Sequence, residues 1–155
     1  MKPVLYLRIA SILTLIHSIL HTIGGVFSKP SSGTATMVAA TMRLTFPAFG
    51  VVRSYADFYR GMGLAVTIFL TMDAAILWLL ASLSKSDSAR LRPILAILLM
   101  GYLAMAVNSY AFFFSGPIIA ELLIVACIAA AIFSARTAVE REEFTSKSGF
   151  NAAQL

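Results

Sequence analysis

Cysteine is almost missing from this chain. Of 155 residues only Cys127 is a cysteine, and it lies deep in an apolar run. No Cys-x-x-Cys pair exists, which excludes intramolecular dithiol chemistry. Histidine is nearly as rare: His17 and His21 are the only two. There is no His-Glu-x-x-His motif, and two histidines are too few for a histidine-box di-iron centre. Charged residues make up 12% of the chain and are nearly absent from its long apolar stretches. Internal repeats are missing too, and no interrupted helix pattern supports an alternating-access transporter.

What remains is mostly apolar: 59% of residues are hydrophobic and the mean hydropathy is +0.87. Soluble domains rarely have such a composition. Four apolar runs cover residues 4–25, 58–83, 93–114 and 117–135. About 20 apolar residues span the hydrocarbon core as a helix. The sequence therefore predicts an all-α integral membrane four-helix bundle occupying residues 1–136, with spans near 4–25, 55–83, 93–114 and 117–136. A polar tail follows over 137–155, helical through Glu143 and frayed beyond. Lys2 and Arg8 give the first run a signal-peptide look, but no small-x-small cleavage site follows it, so it reads as a retained first helix.

The isoelectric point of about 9.7 is topological rather than a mark of nucleic-acid binding, because the basic residues sit at helix ends and in loops. Eight of them (Lys2, Arg8, Lys85, Arg90, Arg92, Arg136, Arg141, Lys147) fall on the side of the termini and four (Lys29, Arg43, Arg53, Arg60) on the other. The excess of Lys and Arg predicts termini in the cytoplasm and the long first loop outside. Within that loop, residues 35–46 have helical propensity, and Phe46-Pro47 and Gly50 break the pattern. Ser54-x-x-Asp57 reads as the start of a capped helix. Arg53, Asp57 and Arg60 recur at spacings of four and three, one helix face. They form either a surface ion pair at a helix end or a clamp for a ligand headgroup.

Small residues mark helix seams: Ser11, Ser18 and Gly25 at intervals of seven, Gly61-x-x-x-Ala65, Ala126-x-x-x-Ala130 and Ala131-x-x-x-Ala135. Such faces let helices approach closely, within one bundle or between subunits of a homo-oligomer.

Ionisable residues inside a span call for an explanation. From a rise of ~1.5 Å per residue, His17 lies ~4 Å and His21 ~10 Å to the outer side of the midplane, with Asn108 and Glu121 ~7 Å to the same side. Asp73 falls ~3 Å inward, level with Tyr102 and Thr14. The cost of lipid-exposed charge turns Glu121 and Asp73 toward the interior. The expectation is an outer-half polar cavity binding a lipid-like or isoprenoid-like molecule. His17, His21, Glu121 and Asp73 are its acid–base candidates, and Asn108, Tyr102, Arg53, Asp57 and Arg60 its ligand-binding candidates. The partner class is a membrane lipid or another apolar small molecule. Two other readings stay open. The same residues are a hydrogen-bond network that fixes packing, or His17, His21 and Glu121 are a three-ligand metal set. No particular cofactor follows from the residues.

The stretches from Arg8-Ile9-Ala10 to His17-x-x-x-His21-Thr22-x-Gly24-Gly25, and Arg53-Ser54-Tyr55-x-Asp57-Phe58-Tyr59-x-Gly61-x-Gly63, resemble a family of small bacterial four-helix membrane proteins. That resemblance implies a bacterial cytoplasmic membrane and carries no activity with it. Broader likenesses are to the emopamil-binding-type sterol isomerases and the DoxX-like quinone-associated proteins. Their motif sets are not present here, so no residue role is carried over.

Overall fold

The computed structural model describes the backbone of residues 3–86, 88 and 90–152, with side chains through residue 135. The described elements are α1 (Pro3–His21), a π-helical turn (Thr22–Val26), α2 (Gly33–Met42), β1 (Thr45–Ala48), β2 (Val51–Ser54), α3 (Tyr55–Leu83), α4 (Arg92–Phe112) and α5 (Ser115–Ala152). Four stretches are long and apolar enough to cross a membrane: Pro3–Val26, Tyr55–Leu83, Arg92–Phe112 and Ser115–Ala135. Along them Ile12, Leu20, Phe69, Ile97 and Val107 stand exposed. Water would penalise so much open apolar surface, whereas lipid tails solvate it. The chain reads as a multi-pass membrane protein.

The chain divides into two compact units, Met1–Thr14 with Asp73–Leu155, and Leu15–Met72. The first unit has an apolar core that includes Leu7, Leu77, Leu95, Tyr102, Ile124 and Ile128. Ser11 Oγ donates to the Ala74 carbonyl at 2.6 Å, a short contact that only a small side chain at position 11 permits. The Arg8 guanidinium lies 4.7 Å from the centre of the Trp78 ring, a cation–π arrangement. Pro93 sits in the first turn of α4, where its missing N–H costs nothing. α4 and α5 are joined by Phe113-Phe114, and Ser115-Gly116-Pro117 forms the first turn of α5. α5 runs on to Ala152, beyond the Glu143 expected from sequence.

The second unit is built on a seam between the end of α1 and the first half of α3. Ser18 Oγ bonds to Thr71 Oγ1 at 2.9 Å and donates to the Thr67 carbonyl at 3.1 Å. Thr22 Oγ1 meets Thr67 Oγ1 at 2.9 Å. One turn further, Val26 is buried against Gly63. Positions 63, 67 and 71 lie four apart, so they form one stripe of α3. Gly61 and Ala65, which looked like a seam in the sequence, are exposed.

The long loop holds more structure than expected. α2 is capped by Ser32, whose Oγ accepts from Ala35 N–H at 3.1 Å, and ends at Met42 rather than near Phe46. A β-hairpin follows, with Thr45 opposite Ser54 and Ala48 opposite Val51. Its two-residue turn, Phe49-Gly50, has positive φ at both positions, 49° and 83°. That is the pattern of type I′, whose twist matches the strands it joins. Pro47 is tolerated because a two-stranded ribbon has only edge strands. The Phe46 ring packs on Tyr55 and Phe58 at centroid distances of 4.9 and 6.3 Å, which ties the hairpin to α3.

Candidate functional site

Glu121 is the most deeply buried carboxyl group among the described residues, 1% exposed. It sits on the second turn of α5, close to where that helix leaves α4. Ser109, on the last full turn of α4, donates its hydroxyl to Glu121 Oε1 at 2.9 Å. Oε2 has no hydrogen-bond partner among the described residues. Buried polar atoms are rarely left so, and one inside an apolar span is costlier still. The site is half-satisfied: one carboxyl oxygen keeps its capacity to accept a hydrogen bond.

Two turns along α4 from Ser109, Tyr102 places its hydroxyl in the same unit's core. It lies 3.2 Å from Thr14 Oγ1 and donates toward Asp73 Oδ2 at 3.5 Å, the long limit of a hydrogen bond. Thr14 Oγ1 also donates to the Ala10 carbonyl at 2.9 Å. A hydroxyl has a single proton, so Tyr102 serves one acceptor fully or two poorly. Asp73, half-buried, therefore keeps acceptor capacity as well.

Asn108 was expected to face inward and is exposed. The adjacent Ser109 takes that position, and nothing in depth counting distinguished the two. The structure brings Asp73, Tyr102 and Thr14 together, and pairs Glu121 with Ser109. The two histidines lie in the other unit. His21 Nε2 is 3.1 Å from the Gly63 carbonyl. A carbonyl only accepts, so Nε2 carries the proton of a neutral His21 and Nδ1 is the nitrogen left to act as a base or ligand. His17 is 8% exposed, and its Nδ1 has no partner among the described residues. Among those residues no group of three or more His, Cys, Asp or Glu side chains is arranged to hold a metal ion.

The Arg53–Asp57–Arg60 trio is divided. Asp57 Oδ2 accepts from both the N–H and the hydroxyl of Ser54 at 2.9 Å, while Ser54 Oγ accepts from Asp57 N–H at 3.2 Å. This reciprocal cap fixes the first turn of α3. Arg53 Nη1 donates to the Val52 carbonyl at 2.9 Å. Arg53 and Asp57 border one shallow groove, with Gly61 and Ala65, whereas Arg60 borders another. No family model, curated protein or solved structure matches the chain, so its chemistry is read from its own geometry.

Proposed function

We propose that this is a ligand-binding protein of the bacterial cytoplasmic membrane. It crosses the bilayer as an antiparallel four-helix bundle with cytoplasmic termini and the α2–hairpin segment outside. Its ligand is a lipid-like or isoprenoid-like molecule whose small polar head is a hydrogen-bond donor, a hydroxyl or an amine. The observation that supports this is the free Oε2 of Glu121, held in place through Ser109. A donor head would complete that carboxyl group while the molecule's apolar body stayed among lipid-facing side chains. Acid–base chemistry on the bound head is an extension of the same reading, since a carboxyl group in hydrogen-bond contact with a hydroxyl or amine is placed to exchange a proton with it.

A second reading has its own support. The Ser18–Thr67–Thr71–Thr22 hydroxyl ladder shows this chain using small polar groups to stitch helices. Ser109–Glu121 would then be one more stitch, with no ligand.

Thermal shift of the detergent-purified protein against fractionated lipid extracts separates the two. The binding reading expects a hydroxyl- or amine-headed fraction to raise the melting temperature of the wild type. Glu121→Gln, which keeps the volume, should lose most of that shift, and Ser109→Ala should reduce it. If no fraction shifts the wild type while both substitutions lower its melting temperature, the groups only pack the helices and the proposal fails.

A further inference from the structure

Where two spans end, the second unit carries a groove of about 590 Å³ between the exit of α1, α2 and the start of α3. Its lining includes a basic part and an apolar part. Lys29, Arg43 and Arg60 are basic, and Val38, Met42 and Tyr59 are apolar or aromatic. None of the lining residues is acidic. The chain has no Asp or Glu before Asp57, and that carboxylate is engaged by Ser54. Three cations thus face one concavity with no acidic residue in its wall. The start of α2 opens there too, through Ser32, Thr34 and Ala35. Of its first-turn amides, Ala35 N–H is met by Ser32 Oγ. The helix end adds a positive dipole to the three side chains.

The apolar half also calls for an occupant. α2 buries none of its residues, and Met37 and Val38 are more than half exposed. A helix that buries nothing gains little from the protein it belongs to. One class of molecule matches both halves. We propose that the groove seats an anionic phospholipid, its phosphate among Lys29, Arg43 and Arg60 and the upper part of its acyl chains against Val38, Met42 and Tyr59. The charges supply attraction to the headgroup, and the apolar wall supplies the preference for a lipid over a free ion. Site and ligand differ from those proposed for Glu121, since this ligand is an anion and that one a neutral or cationic donor.

The test uses the full-length protein, delipidated in detergent and then incubated with phosphatidylglycerol or phosphatidylcholine. Retained lipid is read by native mass spectrometry. The wild type should retain phosphatidylglycerol in preference to phosphatidylcholine. The triple change Lys29→Gln, Arg43→Gln, Arg60→Gln should weaken that retention roughly tenfold or more, since each basic group near an anionic lipid counts severalfold. Lys29→Arg with Arg43→Lys and Arg60→Lys should preserve most of it. Lys85→Gln, which removes one charge from the 84–91 loop, should leave it unchanged. If the triple variant loses helical circular dichroism, the three single Gln substitutions replace it, each expected to weaken retention severalfold. Equal retention of both lipids by the wild type overturns the proposal, as does an effect of Lys85→Gln as large as that of a groove substitution. Displacement by inorganic phosphate at equal concentration would show a free-anion site instead. Glu121→Gln is expected to keep phosphatidylglycerol, so the two proposals fail independently.

Discussion

One hydrogen atom is all that position 63 can offer to Val26. A Cβ built on Gly63 would stand 2.8 Å from Val26 Cγ2, closer than carbon atoms pack. Gly63→Ala should therefore destabilise the protein by about 1–3 kcal/mol through overpacking, read as a lower melting temperature in detergent. Adding Val26→Ala should restore much of the loss by removing the clashing methyl. Gly61 is the internal control, since a Cβ there meets nothing within 4 Å. Gly61→Ala should be neutral or slightly stabilising, because alanine is the better helix former. Equal stability of the two single variants would mean that the α1–α3 seam is looser than described. The same scale explains why Asn108 misled and Ser109 went unnoticed. Depth along a helix follows from counting residues, but one residue also turns the side chain by about 100°. Counting could name the polar residues of a span; it could not say which of two neighbours faces inward. Asp73 beside Tyr102 and Thr14 was legible, because each of those three has few polar competitors at its depth.

Among elements, the start of α3 carries the most local information. Ser54 and Asp57 cap one another through three hydrogen bonds of 2.9 to 3.2 Å. Removing either side chain by alanine substitution should cost about 0.5–2 kcal/mol, a usual range for a helix cap. Because the bonds are shared, the double variant should lose much less than the sum of the singles. Additive losses in thermal unfolding would show that the two act separately. This cap was readable because all its partners lie within four residues. The hairpin just before it was not. Phe49-Gly50 lacks the Asn-Gly or Asp-Gly signal of a type I′ turn, and Phe49 pays for its left-handed backbone with roughly 1–2 kcal/mol. Pro47 argued further against a strand. What supports the hairpin is tertiary, the Phe46 ring on Tyr55 and Phe58, and single-sequence periodicity carries no trace of it. The membrane-length helices showed the opposite behaviour. Tyr55–Leu83 was marked at both ends, by the cap and by the polar loop beginning at Ser84.

For the molecule as a whole, charge and length together set the proposed orientation. If all four membrane-length helices cross, as proposed, both chain ends fall on one side together with eight of the twelve basic residues. The same proposal puts Lys29, Arg43, Arg53 and Arg60 on the opposing side, so the charge bias that supports it is partial. α3 adds an asymmetry of its own: 29 residues of helix reach ~43 Å, against ~30 Å of hydrocarbon. A vertical α3 would project from the bilayer, and its capped, Arg60-bearing end is the polar one. In the proposed orientation that end lies in the headgroup region, the level that the proposed phosphate site bordered by Arg60 requires. Cysteine accessibility checks the orientation directly. In a Cys127→Ala background, Ser31→Cys should react with a membrane-impermeant maleimide added to intact cells, and Ser86→Cys should react only after the cells are opened. Ser31 is exposed in the α1–α2 connection and Ser86 in the α3–α4 connection, so both report without disturbing a helix. The reverse pattern would invert the protein in the membrane and place the basic groove against the cytoplasmic leaflet. Reaction at both positions in intact cells would be incompatible with four crossings.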